Sequence, residues 1–204
     1  MINTGNLYIV SAPSGAGKTS LLKALTEADQ GISTSTSTTT REIRNGETDG
    51  LDYHFVSISE FNALKEQNDF LESAEVFGNF YGTSKQRVRD SLRSGQDLVL
   101  EIDWQGAQQI RKQLPEAISI FILPPSREEL ANRLKGRGQD NQQIIDKRMA
   151  AAIAEISHFN EYDFLVINDD FELALQDLRD IVNAHRLNQK RQSAAHKQLI
   201  GALL

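Results

Sequence analysis

A short stretch near the amino terminus constrains the fold more than any other part of the chain. The apolar run Leu7–Val10 leads into a loop of mostly small residues, Ser11–Ser20, with the sequence Ser-Ala-Pro-Ser-Gly-Ala-Gly-Lys-Thr-Ser, and a helical apolar pattern follows. A strand, a small-residue loop with Gly-Lys-Thr and a helix form the context of a phosphate-binding P-loop. In such a loop, backbone N–H groups at a helix N-terminus surround phosphate oxygens. We expect Lys18 to reach the β- and γ-phosphates of a nucleotide and the Thr19 hydroxyl to help hold Mg²⁺.

The loop departs from the usual P-loop pattern at its first position. Glycine normally stands six residues before the lysine, whereas this chain has Ala12 there. Alanine fits that position if the backbone stays at negative φ, and we therefore expect a negative φ at Ala12. The alternative interpretation is a glycine-containing turn that only caps a helix. The agreement of strand, loop and helix favours the P-loop.

Composition excludes several classes of protein. The 204 residues can form one well-buried α/β core, and the net charge of −6 argues against a nucleic-acid-binding protein. Disulfides and cysteine-based metal sites are excluded because the chain has no cysteine. The sequence shows no signal peptide and no apolar run near the ~20 residues that span a bilayer. We expect a cytoplasmic protein without membrane partners, and the sequence leaves its oligomeric state open, a homo-oligomer included. Lys190, Arg191 and Lys197 in the tail are expected to form a solvated face.

The rest of the chain alternates strand and helix patterns around two excursions. Leu98–Leu100 and Ile118–Leu123 are continuous apolar runs, typical of parallel strands buried on both faces, and an amphipathic helix pattern spans Leu175–His185. These patterns predict a three-layer α/β P-loop fold with a parallel sheet core, a small inserted mixed α/β subdomain and a helical hairpin, which is the candidate helical lid. The expected parts of this single domain are a core of residues 1–36, 86–126 and 157–204, an insert of about 37–85 and a lid of about 127–156.

Three polar segments each have two interpretations. Glu101 and Asp103 follow a buried strand and are expected to point the same way at the edge where α/β sheets bind ligands, or else to mark an exposed strand end. An acidic residue there is the expected partner of Mg²⁺ or its water shell. The Ser/Thr-rich run Ile32–Arg41 is a linker or an anion-docking strand end. The arginines between Arg127 and Arg148 belong to a solvated helical hairpin or to a closing lid.

A series of motifs through nearly the whole chain resembles the guanylate kinases, which phosphorylate GMP from ATP. Besides the P-loop, the matching segments are Ser37–Arg44, Gly50–Phe55, Phe80–Thr83, Glu101–Gly106, Gly136–Gly138 and Val166–Asp170. They occur in the order of the family. Many families share a P-loop, but this series is specific.

The resemblance implies roles for individual residues, with the insert as the GMP-binding part. The residues expected to bind ATP are Ala12, Pro13, Ser14, Gly15, Ala16, Gly17, Lys18, Thr19, Ser20, Arg133 and Asn168. Those expected to bind the GMP phosphate are Arg41, Arg44, Tyr53 and Tyr81, and those expected to read the guanine are Ser37, Glu72, Thr83 and Asp103. The expected catalytic residues are Lys18, Arg41, Arg137 and Arg148, with Arg133, Arg137 and Arg148 in the lid. The expected metal-site residues are Thr19 and Asp103, and the role of Glu101 stays open between metal shell and structure.

Base chemistry supports guanine as the substrate base. Guanine presents N1–H and N2–H₂ as adjacent donors, and the carboxylate of Glu72 can accept both. Adenine has an acceptor at N1 and nothing at C2, so a buried carboxylate would lose its partners, which can discriminate by roughly 10⁴-fold. The alternatives are a kinase for AMP, CMP or dTMP, a non-catalytic guanylate-kinase-like interaction module, and a GTP-dependent switch. Intact Lys18 argues against the module, and the missing Asn-Lys-x-Asp motif argues against the switch.

Overall fold

The computed structural model describes residues 5–76, 78–135 and 142–204. Its strands are Leu7–Ser11 (β1), Ile32–Thr34 (β2), Thr38–Thr39 (β3), His54–Phe55 (β4), Phe70–Val76 (β5), Asn79–Ser84 (β6), Asp97–Glu101 (β7), Ile118–Leu123 (β8) and Phe164–Ile167 (β9). Its α-helices are Lys18–Ala28 (α1), Ile58–Glu66 (α2), Lys85–Arg93 (α3), Trp104–Gln113 (α4), Arg127–Lys135 (α5), Gln142–Ile156 (α6), Phe171–Arg186 (α7), Gln189–Ala195 (α8) and Lys197–Leu203 (α9).

The large sheet is parallel and has the strand order β2-β7-β1-β8-β9. Alternate residues of its central strands face opposite layers: Tyr8 and Val10 pack with α1 and α7, whereas Leu7 and Ile9 pack with α3 and α4. The predicted three-layer α/β architecture is confirmed. The loop that follows β1 lies at the carboxyl edge of the sheet. Because β1 is the central strand, this loop lies where the strand order reverses, which is the place where open α/β sheets bind ligands.

The second sheet, called the small sheet below, consists of β4, β3, β6 and β5 in that order. It is mixed, because β3 pairs parallel with β4 and antiparallel with β6. The helix α2 begins with a capping box formed by Ser57 and Glu60. Its buried Phe61 stacks on Phe70 and Phe80, at centroid distances of 4.6 and 5.6 Å. One face of the small sheet is thereby covered, and the opposite face is left for the cleft. The prediction of a small mixed α/β part inserted in the chain is confirmed.

The helices α5 and α6 form the hairpin that the sequence predicts, packed through Leu130, Leu134 and Ala152. The following helix α7 is capped by Asp170 and buries Leu175, Leu178 and Val182 against the sheet. Within the described residues, no helix combines the length and the apolar character needed to cross a membrane.

A buried ion network joins the amino end of β7 to the last helices. Asp97 is fully buried and accepts hydrogen bonds from the Asn6 N–H at 2.7 Å, from Arg186 Nε at 2.7 Å and from Arg191 Nη1 at 2.8 Å. Arg186 also pairs with Asp29 at the end of α1. The prediction that Arg191 lies on a solvated face is therefore wrong. The sequence around Arg191 does not indicate that its partner, Asp97, lies on β7.

We expect Asp97→Asn to destabilise the protein strongly. The substitution leaves two largely buried arginines without their shared charge, a loss that costs roughly 3 kcal/mol or more. Thermal unfolding followed by circular dichroism measures the effect. The matched control is Glu27→Gln, which removes the charge of an exposed carboxylate paired with Lys23 on α1 and should change stability little. Equal unfolding temperatures for the two variants would show that the network does not stabilise the fold.

Candidate active site

The P-loop lines a cleft of about 300 Å³ between the large sheet and the small sheet. Gly15 and Gly17 adopt left-handed backbone conformations, with φ of 92° and 91°, which non-glycine residues disfavour. A side chain at Gly17 would also meet the Asn168 amide at 2.4 Å. Ala12 is not among the positive-φ residues, since Asn68 is the only non-glycine with positive φ in the described ranges. The expected negative φ at Ala12 is confirmed, and its methyl group packs against the core.

Lys18 and Thr19 begin α1 and face the end of β7. Lys18 Nζ donates a hydrogen bond to the Ile102 carbonyl at 3.3 Å and lies 4.0 Å from Glu101 Oε1. The Thr19 hydroxyl donates to the same Glu101 oxygen at 2.6 Å. Asp103 instead caps α4, accepting the Gly106 N–H at 2.9 Å. The carboxylate in contact with Thr19 is therefore Glu101 rather than Asp103, because β7 ends at Glu101 and the chain turns into α4.

Glu72 on β5 is a buried carboxylate, 4% exposed, that lines the cleft. The pKa of Glu72 is raised to about 7: burial is the main cause, the hydrogen bond from the Thr83 hydroxyl at 2.6 Å opposes the rise, and the charge of the nearby Asp103 adds to it. Burial disfavours the charged form of an acid unless donors compensate for the lost water. The structure thus brings together three of the residues predicted to read guanine, and Ser37 lines the same cleft.

Arg41 lies just beyond the end of β3, and its guanidinium group contacts two aromatic rings. Its guanidinium carbon lies 5.3 Å from the centroid of Tyr53 and 5.7 Å from that of Phe55. An ion pair with Glu47 at 2.7 Å raises the pKa of Arg41. Tyr53 contacts Tyr81 edge-on at 6.0 Å, and both rings line the cleft. Three of the four residues predicted to bind the GMP phosphate, Arg41, Tyr53 and Tyr81, therefore lie together, and Arg44 follows Arg41 along the chain with an exposed side chain.

Arg133 connects α5 to the P-loop through Asn168. Its Nη2 donates to the Asn168 carbonyl at 3.1 Å, and its Nε pairs with Glu129 at 2.8 Å. The buried Asn168 amide in turn donates to the Ala16 carbonyl at 2.7 Å. These two predicted ATP-site residues are therefore in contact with each other and with the loop.

Two more arginines, Arg148 and Arg137, are predicted to belong to the lid. Arg148 lies on α6 with a half-buried side chain. Arg137 lies outside the described residues.

A further carboxylate reaches the P-loop from α6. Glu155 Oε2 accepts the Ser14 N–H at 3.1 Å and lines the cleft. Burial raises the pKa of Glu155, while the Ser14 hydrogen bond and the charge of Lys18 oppose that shift. This contact fixes the root of the α5–α6 hairpin against the phosphate-binding loop.

Comparisons with known proteins identify the family of the chain. The family model for guanylate kinase matches residues 4–185. The chain is 58% identical over 202 residues to the guanylate kinase of Pseudomonas fluorescens (strain Pf0-1), covering 99% of this chain and 98% of that relative. The chain belongs to the guanylate kinase family. It is also 57% identical over 204 residues to the guanylate kinase of Saccharophagus degradans, covering 100% of both chains. A crystal structure of guanylate kinase from Anaplasma phagocytophilum is similar with a TM-score of 0.76 and 35% identity, covering 93% of this chain and 90% of that one.

Sequence reasoning missed the part that Glu155 takes and left that of Glu101 open. A signal for Glu155 exists, because it follows the buried Ala152 by three residues on an otherwise apolar helix face. The contact of Glu101 with Thr19 has no local signal, because it joins residues 82 positions apart. Trp104, the first residue of α4, stacks on His158 at a ring-centroid distance of 3.7 Å.

We expect Thr83→Val to raise the pKa of Glu72 above its already high value. The substitution removes the hydroxyl donor that stabilises the charged carboxylate and leaves the burial unchanged. Carbon-13 NMR of the glutamate side chains in the ligand-free protein measures this pKa directly. Thr26→Val, which removes a hydroxyl on α1 away from the cleft, is the control. A lower pKa for Glu72 in Thr83→Val would contradict the assignment.

Proposed function

We propose that this chain transfers the γ-phosphoryl group of ATP to GMP, giving ADP and GDP, through the cleft between its two sheets. Guanylate kinases match this chain over nearly their whole length with more than half of the aligned residues identical. The chain is therefore an enzyme with ATP:GMP phosphotransferase activity. The non-catalytic interaction module is not favoured. The single observation that carries the site assignment is that one cleft is lined both by the P-loop and by the buried Glu72.

Glu72 is proposed to select guanine. Its carboxylate accepts a hydrogen bond from the Thr83 hydroxyl, and guanine N1–H and N2–H₂ would supply two further donors. Those donors favour the charged form of a carboxylate whose pKa is about 7 in the free protein. Thr83 orients the carboxylate, and Ser37 and Asp103 are proposed to contact the base beside it.

The phosphates are proposed to meet between the P-loop and Arg41. The P-loop amides and Lys18 would hold the ATP phosphates, while Arg41, Arg44, Tyr53 and Tyr81 would hold the GMP phosphate. A phosphate monoester with a second pKa of about 6 is already largely a dianion at neutral pH, so the acceptor needs no strong base. Catalysis then consists of alignment and charge neutralisation.

Arg133 and Asn168 are proposed to lie near the donor nucleotide. The resemblance assigns Arg137 and Arg148 to closure over the transferring group, which would exclude water from the cleft. These roles follow the division into core, GMP-binding insert and lid that the sequence predicts. A cytoplasmic location also stays a prediction.

The residues around Thr19 fit a magnesium ion. Thr19 and Glu101 present a hydroxyl and a carboxylate oxygen 2.6 Å apart, and Mg²⁺ prefers oxygen ligands from one or two side chains together with substrate phosphates. No three His, Cys, Asp or Glu side chains in the described part of the chain could hold a metal ion together, which agrees with a site completed by the nucleotide. When bound, Mg²⁺ would neutralise phosphate charge. We propose Glu101 beside Thr19 as its protein contact, and a contact with Asp103 stays a prediction.

A substrate panel tests the proposed function. We expect ADP formation from ATP with GMP as acceptor, and a kcat/KM for AMP, CMP or dTMP lower by roughly 10⁴-fold, because none of these bases presents the two donors of guanine. A coupled assay of ADP with each nucleoside monophosphate measures this. Comparable turnover of AMP and GMP would contradict the assignment of Glu72.

We expect Lys18→Met to lower kcat by about a hundredfold or more, because the lysine charge that neutralises the transferring phosphoryl group is lost. GMP affinity, measured by calorimetry, should change little because Glu72 and Thr83, which are proposed to read guanine, lie on the small sheet. The control is Lys23→Met, which removes an exposed lysine from the same helix. Near-normal kcat in Lys18→Met would remove this lysine from the mechanism.

A further inference from the structure

The outer strand of the small sheet is held by a helix instead of another strand. β5 is at the sheet edge and packs against α4. The Gln109 side chain accepts the Ser73 N–H at 3.1 Å and donates to the Ser73 carbonyl at 2.9 Å. These are the two backbone groups that a neighbouring strand would otherwise bond. Gln109 therefore takes the place of a strand partner immediately after Glu72.

A bulge lies immediately before Glu72. In the β5–β6 ladder, Phe70 pairs with Ser84 and Glu72 pairs with Thr83, so Leu71 is the extra residue. Bulges redirect the neighbouring side chains and loosen the ladder locally. The Leu71 carbonyl accepts a hydrogen bond from Gln113 at 2.7 Å. The backbone on both sides of Glu72 is thus fixed by α4 as well as by β6.

The first turn of α4 also sets the space for the Glu72 carboxylate. A Cβ placed on Gly106 would lie 2.7 Å from Glu72 Oε2, closer than two such atoms can approach. The Gly106 N–H donates to Asp103, so both carboxylates predicted to read guanine lie against the same turn. A side chain at this position would push the flexible end of Glu72 away.

We infer that α4 positions Glu72 for guanine recognition, with Gln109 holding the strand backbone beside it and Gly106 leaving the space that its carboxylate occupies. The inference rests on the proposed role of Glu72. α4 directly follows β7, whose last residue Glu101 contacts Thr19. One helix therefore links the position of the guanine-reading carboxylate to that of the P-loop.

The experiment compares GMP with inosine monophosphate, which keeps N1–H but lacks the 2-amino group. For the wild type we expect a kcat/KM ratio of about tenfold or more in favour of GMP, because Glu72 loses one charged hydrogen bond with inosine monophosphate. Gln109→Met removes both bonds to Ser73 at similar volume. We expect that variant to raise KM for GMP and to lower the ratio roughly tenfold, with KM for ATP unchanged. Glu72→Gln should bring the ratio near one.

Two further variants separate positioning from general stability. Gln108→Met is the matched control, because Gln108 lies on the same helix and bonds Glu161 instead of β5. It should leave the ratio unchanged. Gly106→Ala introduces a better helix former, which offsets part of the cost of displacing the Glu72 carboxylate, so we expect it to fold and still to lower the ratio. It carries the test if Gln109→Met does not fold.

The outcomes distinguish this inference from the proposed function. A loss of GMP preference in Glu72→Gln, with the wild-type ratio in folded Gln109→Met and Gly106→Ala, would overturn the positioning role and keep the role of Glu72. An unchanged ratio in Glu72→Gln would overturn both, while GMP phosphorylation by the wild type would still support the proposed activity. A drop in the ratio in Gln108→Met equal to that in Gln109→Met would also overturn the inference, because it would reflect helix damage in general.

Discussion

The burial of one carboxylate is the constraint on which the architecture of the cleft depends. Glu72 is 4% exposed, and the Thr83 hydroxyl is the donor that its side chain has among the hydrogen bonds of the described chain. A buried carboxylate with so few donors is energetically costly, and the raised pKa of Glu72 expresses that cost. A guanine base would supply the missing donors. In the proposed site, the free protein therefore holds in place a carboxylate that only the guanine base would satisfy fully, which is how a site rejects ligands lacking those donors.

Such a carboxylate discriminates only if its position relative to the phosphate site is fixed. Glu72 belongs to the small sheet, whereas the P-loop belongs to the large sheet, and two separate sheets have no common ladder of hydrogen bonds. The helix α4 supplies the connection, because it starts at the end of β7 and contacts β5 with its following turns. The side-chain amide of Gln109 bonds to the backbone of Ser73 on β5, so this connection does not depend on which side chains β5 carries.

The sequence predicts local features of this protein better than its pairings. The P-loop, the buried strands and the α5–α6 hairpin follow from patterns within about ten to twenty residues, and these are the patterns that periodicity and turn chemistry report. Pairings across the chain leave no such trace. Arg191 meets Asp97, 94 residues away, and Glu155 meets Ser14, 141 residues away. Asp103 shows a related difficulty, because one carboxylate at a strand end can cap the next helix as readily as bind a metal ion.

The lining of the cleft contains more acidic than basic side chains, so we expect nucleotide binding there to need cations from outside the lining. Among the described residues that line it, Lys18 is accompanied by the acidic Glu72, Glu101, Asp103 and Glu155. A polyphosphate would enter an environment with an excess of carboxylates, which repel it at short range. The pKa of Glu72, raised to about 7, reduces that excess near neutral pH, because a fraction of this side chain is then uncharged, and burial shifts the pKa of Glu155 in the same direction. The remaining imbalance favours binding of the nucleotide together with a divalent cation, and it would give the arginines proposed to bind phosphate, such as Arg41, a larger effect than in a neutral cleft.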